Sequence, residues 1–204
     1  MIRLYRFPLS TNVERVALAL AHKKLPVESV AVDPRDRSLV KQVSGQELVP
    51  VIEDGGRVVA DSMEIVRYLD ETYPDQPLFP LDPARRAEMD IFIDWFNRVW
   101  KRPPNEIFVE MGKPVPDRAG IERHGRAMAG ALDLFEAMLS GRKFLMGAFS
   151  AADCAAFPFV KFALLREKDD PYLFHRILID WQPLGEAHPR LKDWILRMDE
   201  LPRA

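Results

Sequence analysis

Apolar residues in the first part of the chain follow two alternating patterns separated by one helical pattern. The alternation over residues 2–7 predicts a strand that ends at Pro8. Apolar residues then recur at helical spacing as far as about Lys24, and Pro26 ends this helix before a second strand at residues 27–32. A strand-helix-strand unit prefers a right-handed crossover, so these two strands should be parallel.

A hairpin and a helix start are predicted within residues 48–62. Two β-branched runs, 49–52 and 58–60, flank the turn residues Asp54-Gly55-Gly56, and glycine tolerates the positive φ that tight hairpin turns need. Asp61 or Ser62 is a good N-cap residue for the helix that follows. The hairpin should add an antiparallel pair to a mixed sheet. Residues 33–47 are polar, with at most one helical turn around residues 39–40.

Strand patterns disappear beyond the proline-rich connector at residues 75–83. Helical spacing predicts helices over about residues 84–101, 118–139, 172–179 and 189–201, and another that starts at a capping box from Ser150 to Asp153. Pro103-Pro104 should kink or end the first of these helices. The order of elements predicts an α/β domain followed by an all-α domain.

Composition fits an ordinary globular protein. The chain has 204 residues, of which 48% are hydrophobic and 29% charged, enough for one large or two small domains. Its net charge of −2 gives no electrostatic case for nucleic acid or acidic membranes. The longest apolar run is far shorter than the roughly 20 residues of a spanning helix. We therefore expect a soluble cytoplasmic protein with no nucleic-acid or membrane partner.

Cysteine and histidine usage argues against a disulfide framework and a metal site. The single Cys154 cannot form an intrachain disulfide and fits a reducing compartment. The four histidines, at positions 22, 124, 175 and 188, have no ligand spacing, so we expect no bound metal. No phosphate-binding loop occurs either.

Three motifs, in this order of elements, resemble the soluble glutathione S-transferase family across essentially the whole chain. They are Val49-Pro50 before the hairpin, Asp61-Ser62 at the next helix start, and the capping box from Ser150 to Asp153. The opening residues 4–16 are most similar to the serine-type members, particularly the plant phi class. The resemblance implies a thioredoxin-like N-terminal domain at 1–76 that binds the thiol, and an all-α C-terminal domain at 84–204 that binds the substrate.

The resemblance also implies roles for individual residues in binding glutathione as co-substrate. Pro50 would be a cis-proline that leaves the main chain of Val49 to pair with the cysteinyl part of the thiol. Ser62 would hold the γ-glutamyl carboxylate, with Asp61 near the amine. Ser10 would donate a hydrogen bond to the bound sulfur, and Thr11 is the alternative donor.

The glycine end of the thiol is less well defined by the resemblance. A basic anchor for its carboxylate is Arg35, Arg37 or Lys41, with Arg35 taken as the candidate, and Asn12 is a further candidate for thiol binding. The residue two before the proline is usually Gln or Lys in the family and helps to anchor the tripeptide, whereas this chain has Leu48. A related low-molecular-weight thiol therefore stays open.

Substrate contacts are expected from the helix over residues 84–101. Trp95, Arg98 and Trp100 are candidates, because one edge of the corresponding helix in the family faces the electrophile, although such an aromatic stripe is core or interface by default. The expected function is conjugation of the glutathione thiolate to a small electrophilic, partly apolar compound by a homodimer. Two alternatives stay open: a non-catalytic binding module of the same fold, and a thiol-dependent peroxidase or isomerase using the same site.

Overall fold

The computed structural model describes residues 1–166 and 168–204, which form two compact units. The first unit is Met1–Pro80 together with Leu201–Ala204, and the second is Leu81–Glu200. The last four residues thus lie with the first unit, whereas the sequence assigned them to the helical domain.

The first unit is a mixed sheet with helices between its strands. Its elements, in chain order, are β1 (Ile2–Arg6), α1 (Thr11–His22), β2 (Val27–Ala31), α2 (Ser38–Ser44), β3 (Val51–Asp54), β4 (Arg57–Ala60) and α3 (Ser62–Thr72). The sheet order is β2-β1-β3-β4. β1 and β2 are parallel, with Ile2 opposite Val27, while β3 is antiparallel to both β1 and β4. This confirms the mixed sheet and the thioredoxin-like class.

α2 is longer than the single turn that the sequence predicted. It spans seven residues and ends at Gly45, whose φ of 76° lies in the left-handed region that glycine adopts most easily. Only Val40 among its residues is fully buried, while Val43 packs against the core at its edge. Because the apolar face of α2 is so small, its apolar residues show no helical period in the sequence.

The core of the first unit joins the start of α1 to the segment before β3. Val13 in the first turn of α1 lies in one buried cluster with Tyr5, Val49 and Val51. α1 also packs against α3. The start of α1 and the segment before β3 are therefore parts of one packed region, and α3 lies against α1.

The described residues of the second unit form helices and connecting loops, with no β-strand. Its helices are α4 (Pro83–Trp95), α5 (Arg102–Met111), α6 (Arg118–Met138), α7 (Ala151–Val160), α8 (Leu173–Asp180) and α9 (Pro189–Asp199). A π-helical turn, Phe96–Trp100, extends α4, and a 3-10 turn, Lys161–Ala163, extends α7. Pro103 and Pro104 end the preceding helix, as predicted, but they also stand in the first turn of α5, where a missing N–H costs little.

The predicted capping box is present at the start of α7. The Ser150 side chain accepts from the backbone of Asp153, and the Asp153 carboxylate accepts from the Ser150 N–H at 3.0 Å. None of the helices in the described ranges has the length and apolar character of a transmembrane segment.

Candidate functional site

Ser10 is the N-cap residue of α1 and is half-buried. Its backbone is extended (φ −72°, ψ 116°), and its Oγ accepts a hydrogen bond from the Val13 N–H at 3.4 Å. A hydroxyl group has one hydrogen to donate, and in this bond Ser10 acts only as the acceptor. The Ser10 O–H is therefore available to an acceptor beyond the helix start.

Thr11 and Asn12 follow Ser10 in the first turn. Thr11 is buried, with 8% of its surface exposed, so Ser10 is the more accessible of the two hydroxyls. Asn12 is half-buried and already takes part in a contact within the protein.

The segment before β3 offers main-chain groups rather than side chains. The Val49–Pro50 peptide bond is cis, as the resemblance implies. The Val49 side chain is buried in the core cluster. Within residues 1–166 and 168–204, no hydrogen bond uses the N–H or C=O of Val49. Backbone groups near a protein core are almost always paired, so these two groups are suited to an extended peptide lying alongside them.

The start of α3 is capped by Asp61, a non-glycine residue with φ of 71°. Its Oδ1 accepts from the N–H groups of Met63 and Glu64 at 2.8 and 3.2 Å. Ser62, the first residue of α3, is buried, and no hydrogen bond among the described residues uses its N–H. An unpaired N–H at a helix start favours an anion.

A buried arginine that the sequence reasoning missed lies against Ser62. Arg15, on α1, has 1% of its surface exposed, and its Nη1 donates to the Ser62 Oγ at 3.2 Å. The guanidinium keeps its charge at any physiological pH. The uninterrupted apolar run of residues 16–21 could have revealed the burial of Arg15. Such a run indicates a helix that is buried on all sides, so a charged residue next to the run is buried as well.

The charges around the start of α3 complement an α-amino acid group. Arg15 adds positive charge beside Ser62, where the helix N-terminus already favours a carboxylate. The exposed Asp61 carboxylate lies at the same helix start and favours an ammonium group. A zwitterion with its carboxylate at Ser62 and its amine at Asp61 would satisfy both.

Two of the three basic candidates for the glycine end are engaged within the protein. Arg37 donates from Nε to the Pro34 carbonyl at 2.9 Å and lies over the Phe7 ring. Lys41 donates to Glu47 at 2.9 Å, and this hydrogen bond holds the pKa of Glu47 below its usual value. Arg35 is exposed, and its guanidinium has no partner within the described part of the chain.

Leu48 and Gln46 form a self-contained bend before Val49. The Gln46 Nε2 donates to the Leu48 carbonyl at 2.8 Å and to the Ser44 Oγ at 3.2 Å, and its Oε1 accepts from the Leu48 N–H. The Leu48 side chain is 74% exposed. The Gln46 amide is therefore occupied within this bend, and the residue next to Val49 has an apolar side chain.

The three candidates in the helical unit differ in accessibility. Trp100 is buried and stacks on Phe96 at 4.6 Å, so it belongs to the core of this unit rather than to an open surface. Trp95 is half-buried beside Phe92 and Phe135. Arg98 is exposed, 3.8 Å from Asp94.

Cys154 is fully buried in α7. Across residues 1–166 and 168–204, no group of three or more His, Cys, Asp or Glu residues is placed to hold a metal ion.

Two family models match this chain. The model described as "Glutathione S-transferase, N-terminal domain" matches residues 4–77, and "Glutathione S-transferase, C-terminal domain" matches residues 118–197. The first match covers Ser10, Val49 and Ser62.

Curated relatives and solved structures agree with these matches. The chain is 32% identical to "Glutathione S-transferase 3" of Zea mays over 74% of this chain and 73% of that protein. It is 28% identical to "Glutathione S-transferase GstB" of Escherichia coli (strain K12) over 99% of this chain and 95% of that protein. A crystal structure of a glutathione S-transferase from Rhodospirillum rubrum F11 is 27% identical, covers 98% of this chain and 88% of that one, and superposes with a TM-score of 0.73.

Two further relatives have names of a different kind. "FtsZ-localized protein A" of Caulobacter vibrioides is 30% identical over 75% of this chain and 73% of that protein. A "Probable maleylacetoacetate isomerase" of Caenorhabditis elegans is 38% identical over 41% of each chain. The similarity to the maize protein extends across most of both chains. The chain therefore belongs to the glutathione S-transferase family, which supports transferase activity with glutathione as co-substrate.

Proposed function

We propose that this protein conjugates the thiolate of glutathione to a small electrophilic, partly apolar compound. The thiol proton passes to solvent, the thiolate sulfur attacks an electrophilic carbon to form a C–S bond, and the leaving group departs with its bonding electron pair. The observation that carries the proposal is the Ser10 hydroxyl, whose oxygen caps α1 while its hydrogen remains available.

The Ser10 hydroxyl and the start of α1 are sufficient to activate a thiol. Lowering a thiol pKa from about 8.5 by roughly two units needs about 2.7 kcal/mol. A hydrogen bond to a charged acceptor contributes about 1.5–3 kcal/mol, and a helix N-terminus adds about 0.3–1 kcal/mol. These contributions match the requirement without a general base or a metal. The protein's contribution is then to stabilise and position the thiolate, which is itself the nucleophile.

The rest of the thiol is held at two places in this proposal. The cysteinyl main chain pairs with the N–H and C=O of Val49 beside Pro50. The γ-glutamyl carboxylate lies at Ser62 near Arg15, and the amine lies near Asp61. Thr11 and Asn12 remain secondary candidates in the first turn of α1, and Arg35 remains the candidate for the glycine carboxylate.

The residues that contact the electrophile, the oligomeric state and the location are proposed from the family resemblance. Trp95 and Arg98 are the accessible candidates for contact with the electrophile, while the burial of Trp100 favours a supporting role behind them. We expect a homodimer in the cytoplasm that acts in detoxification.

Replacing Ser10 tests the proposal. Ser10→Ala should lower kcat/KM for 1-chloro-2,4-dinitrobenzene by about 10- to 100-fold near neutral pH, because the thiolate loses a charge-assisted hydrogen bond. The thiol pKa should return toward about 8.5, so the deficit should shrink between pH 7 and pH 9. The measurements are steady-state rates against pH and the thiolate absorbance of the bound thiol.

A second variant separates activation from helix capping. Ser10→Gly lacks the hydroxyl but weakens an N-cap by only a few tenths of a kcal/mol. The hydroxyl is identified as the cause if the Ala and Gly variants lose the same activity while the melting temperature of Ser10→Gly equals that of the wild type. Unchanged turnover in Ser10→Ala would exclude Ser10 as the activating group.

A binding module without catalysis is the second candidate. It is favoured by the similarity to a protein named for its localisation with FtsZ, and by Leu48. A wild-type protein that is neither retained on immobilised glutathione nor active with the aryl halide would support this candidate. The isomerase alternative is favoured by the shorter similarity to an isomerase and predicts turnover of a maleyl compound without net consumption of glutathione.

A further inference from the structure

The turn that joins β1 to α1 contains a residue whose backbone conformation is unusual for its type. β1 ends at Arg6 and α1 begins at Thr11, so residues 7–10 make the connection. Leu9 has a φ of 63°, which lies in the left-handed region. A side chain with a Cβ crowds the main chain in this region, which is adopted routinely by glycine and occasionally by asparagine and aspartate.

Leu9 stands out among the residues that share this conformation. Four other non-glycine residues in the described part of the chain have a positive φ, and all four are polar: Lys24, Asp61, Gln76 and Asp169. The Leu9 side chain is 38% exposed, so burial of the leucine explains its position only in part. Strained residues persist where the surrounding structure fixes them, and they cluster at functional sites. Leu9 directly precedes Ser10, so the strain lies next to the hydroxyl that the proposed function needs.

The structure fixes the conformation of Leu9 from both sides. Pro8 precedes it, and the pyrrolidine ring holds the φ of a proline near −65°. Residues 8 and 9 form a turn, and a proline followed by a residue with positive φ is the pattern of a type II turn. Beyond the turn, Tyr5 on β1 and Val13 on α1 lie in one buried cluster. The two ends of the connection are therefore held by the same core.

The direction of the Ser10 side chain depends on this turn. Ser10 is extended, and its Oγ accepts from the Val13 N–H at 3.4 Å. With a negative φ at Leu9, the chain would leave the turn in another direction, and Ser10 would have to compensate because both ends are held. The hydroxyl would then lose its bond with Val13 or its direction toward a bound sulfur. A hydrogen bond weakens steeply when its donor is misaligned.

We infer that Leu9 is a positioning residue, whose left-handed backbone directs the Ser10 hydroxyl toward the thiolate. This rests on the proposed function. Leu9 acts through its main chain rather than through its side chain. A substitution should therefore impair activation of the thiol only when it disfavours a positive φ.

Two substitutions separate the backbone of Leu9 from its side chain. Asparagine has nearly the shape of leucine and tolerates the left-handed region, so Leu9→Asn removes the apolar surface but keeps the turn. Valine stays apolar, but its branched Cβ makes a positive φ a genuine outlier, so Leu9→Val opposes the turn. The pKa of bound glutathione, measured from thiolate absorbance without an electrophile, should rise by about one unit in Leu9→Val and stay at the wild-type value in Leu9→Asn. The kcat/KM near pH 6.5 should fall about fivefold in Leu9→Val alone.

A matched control places the same strain elsewhere in the first unit. Lys24 is exposed, has a φ of 54° and lies beyond the other end of α1. Lys24→Val should lower the melting temperature as Leu9→Val does, but it should leave the pKa of bound glutathione unchanged. Pro8→Ala frees the φ before Leu9 without opposing the turn, so it should raise the pKa of bound glutathione by less than Leu9→Val. Pro8→Ala supplies the test if Leu9→Val does not fold.

The outcomes distinguish this inference from the proposed function. A wild-type protein that neither lowers the pKa of bound glutathione nor turns over the aryl halide would overturn the proposed function. With an active wild type, an unchanged pKa in Leu9→Val and Pro8→Ala would overturn the inference alone. An equal rise in Leu9→Asn and Leu9→Val would assign the effect to the side chain, and a rise in Lys24→Val would assign it to a general loss of stability. Either result would likewise overturn only the inference.

Discussion

At the scale of single residues, Arg15 carries a charge that the fold has removed from water. Burial of a guanidinium costs several kcal/mol unless its partners compensate, and one of its partners is the Ser62 hydroxyl at the start of α3. Such a charge does little for stability relative to an apolar residue of similar size. Its benefit is expected in ligand binding instead, as positive potential at the γ-glutamyl carboxylate.

Arg15→Met therefore separates binding from stability. We expect KM for glutathione to rise by about tenfold, with a charged hydrogen-bonding group contributing about 1.5–3 kcal/mol, while the melting temperature changes little. Arg57→Met, which removes an exposed guanidinium from the hairpin, is the matched control and should change neither value. A large fall in melting temperature with unchanged KM would make Arg15 a structural residue only.

Residues whose role depends on local chemistry were predictable from the sequence. Asp61 caps α3 as predicted, and Ser10 caps α1, because a short polar side chain before an apolar helix has few other stable arrangements. Arg15 and Gln46 were missed, since their partners are set by tertiary packing or by the shape of one bend. Whether Ser10, Ser62 and Val49 bind a thiol stays a prediction.

At the scale of elements, the strands and helices whose apolar residues recur with a clear period were predicted from the sequence. The elements that lack such a period were missed. The strands and the hairpin were correct, because alternation and turn glycines act locally. α2 was underestimated since it buries little apolar surface. α5 was not predicted because Pro103 and Pro104 suggest a break, although a first turn does not need their N–H groups. The capping box at α7 was recognised from its spacing alone.

Protonation of Asp153, in the capping box of α7, makes the stability of the protein depend on pH. Burial raises the pKa of this carboxyl from 3.8 to about 6, opposed by donors from Leu145, Ser150 and Trp194. A raised carboxyl pKa means that the folded state binds the proton more tightly. The associated stability, about 3 kcal/mol, is present below pH 3.8 and is lost as the pH rises through about 6.

Asp153→Asn should remove this pH dependence. At pH 7 the variant should also be less stable by about 1–3 kcal/mol. Its single amide oxygen cannot replace both carboxylate oxygens, of which Oδ1 accepts from Leu145 and Trp194 and Oδ2 accepts from Ser150. Urea unfolding between pH 4 and pH 7 measures both effects. If the free energy of unfolding of Asp153→Asn falls with pH as steeply as that of the wild type, the pH dependence does not arise from Asp153.

At the scale of the whole molecule, the chain leaves the first unit at Pro80 and returns to it at Leu201. The Ala204 N–H donates to the Ala17 carbonyl at 3.1 Å, and Arg6 donates to the Ala204 carbonyl. Arg203 pairs with Glu14 at 3.0 Å in the first turn of α1. No periodic pattern marks these four residues, so the sequence could not assign them to the first unit.

Truncation after Glu200 should therefore loosen the first unit rather than the helical one. Loss of two main-chain contacts at about 0.5–1.5 kcal/mol each predicts faster amide exchange in α1 and β1, with exchange in α7 unchanged. Arg203→Leu should reproduce less than half of the effect, because a partly exposed ion pair contributes only about 0.2–1 kcal/mol. Unchanged exchange in α1 would show that the last four residues rest on the first unit without stabilising it. Faster exchange in both units would show instead that their stabilities are coupled through residues other than these four.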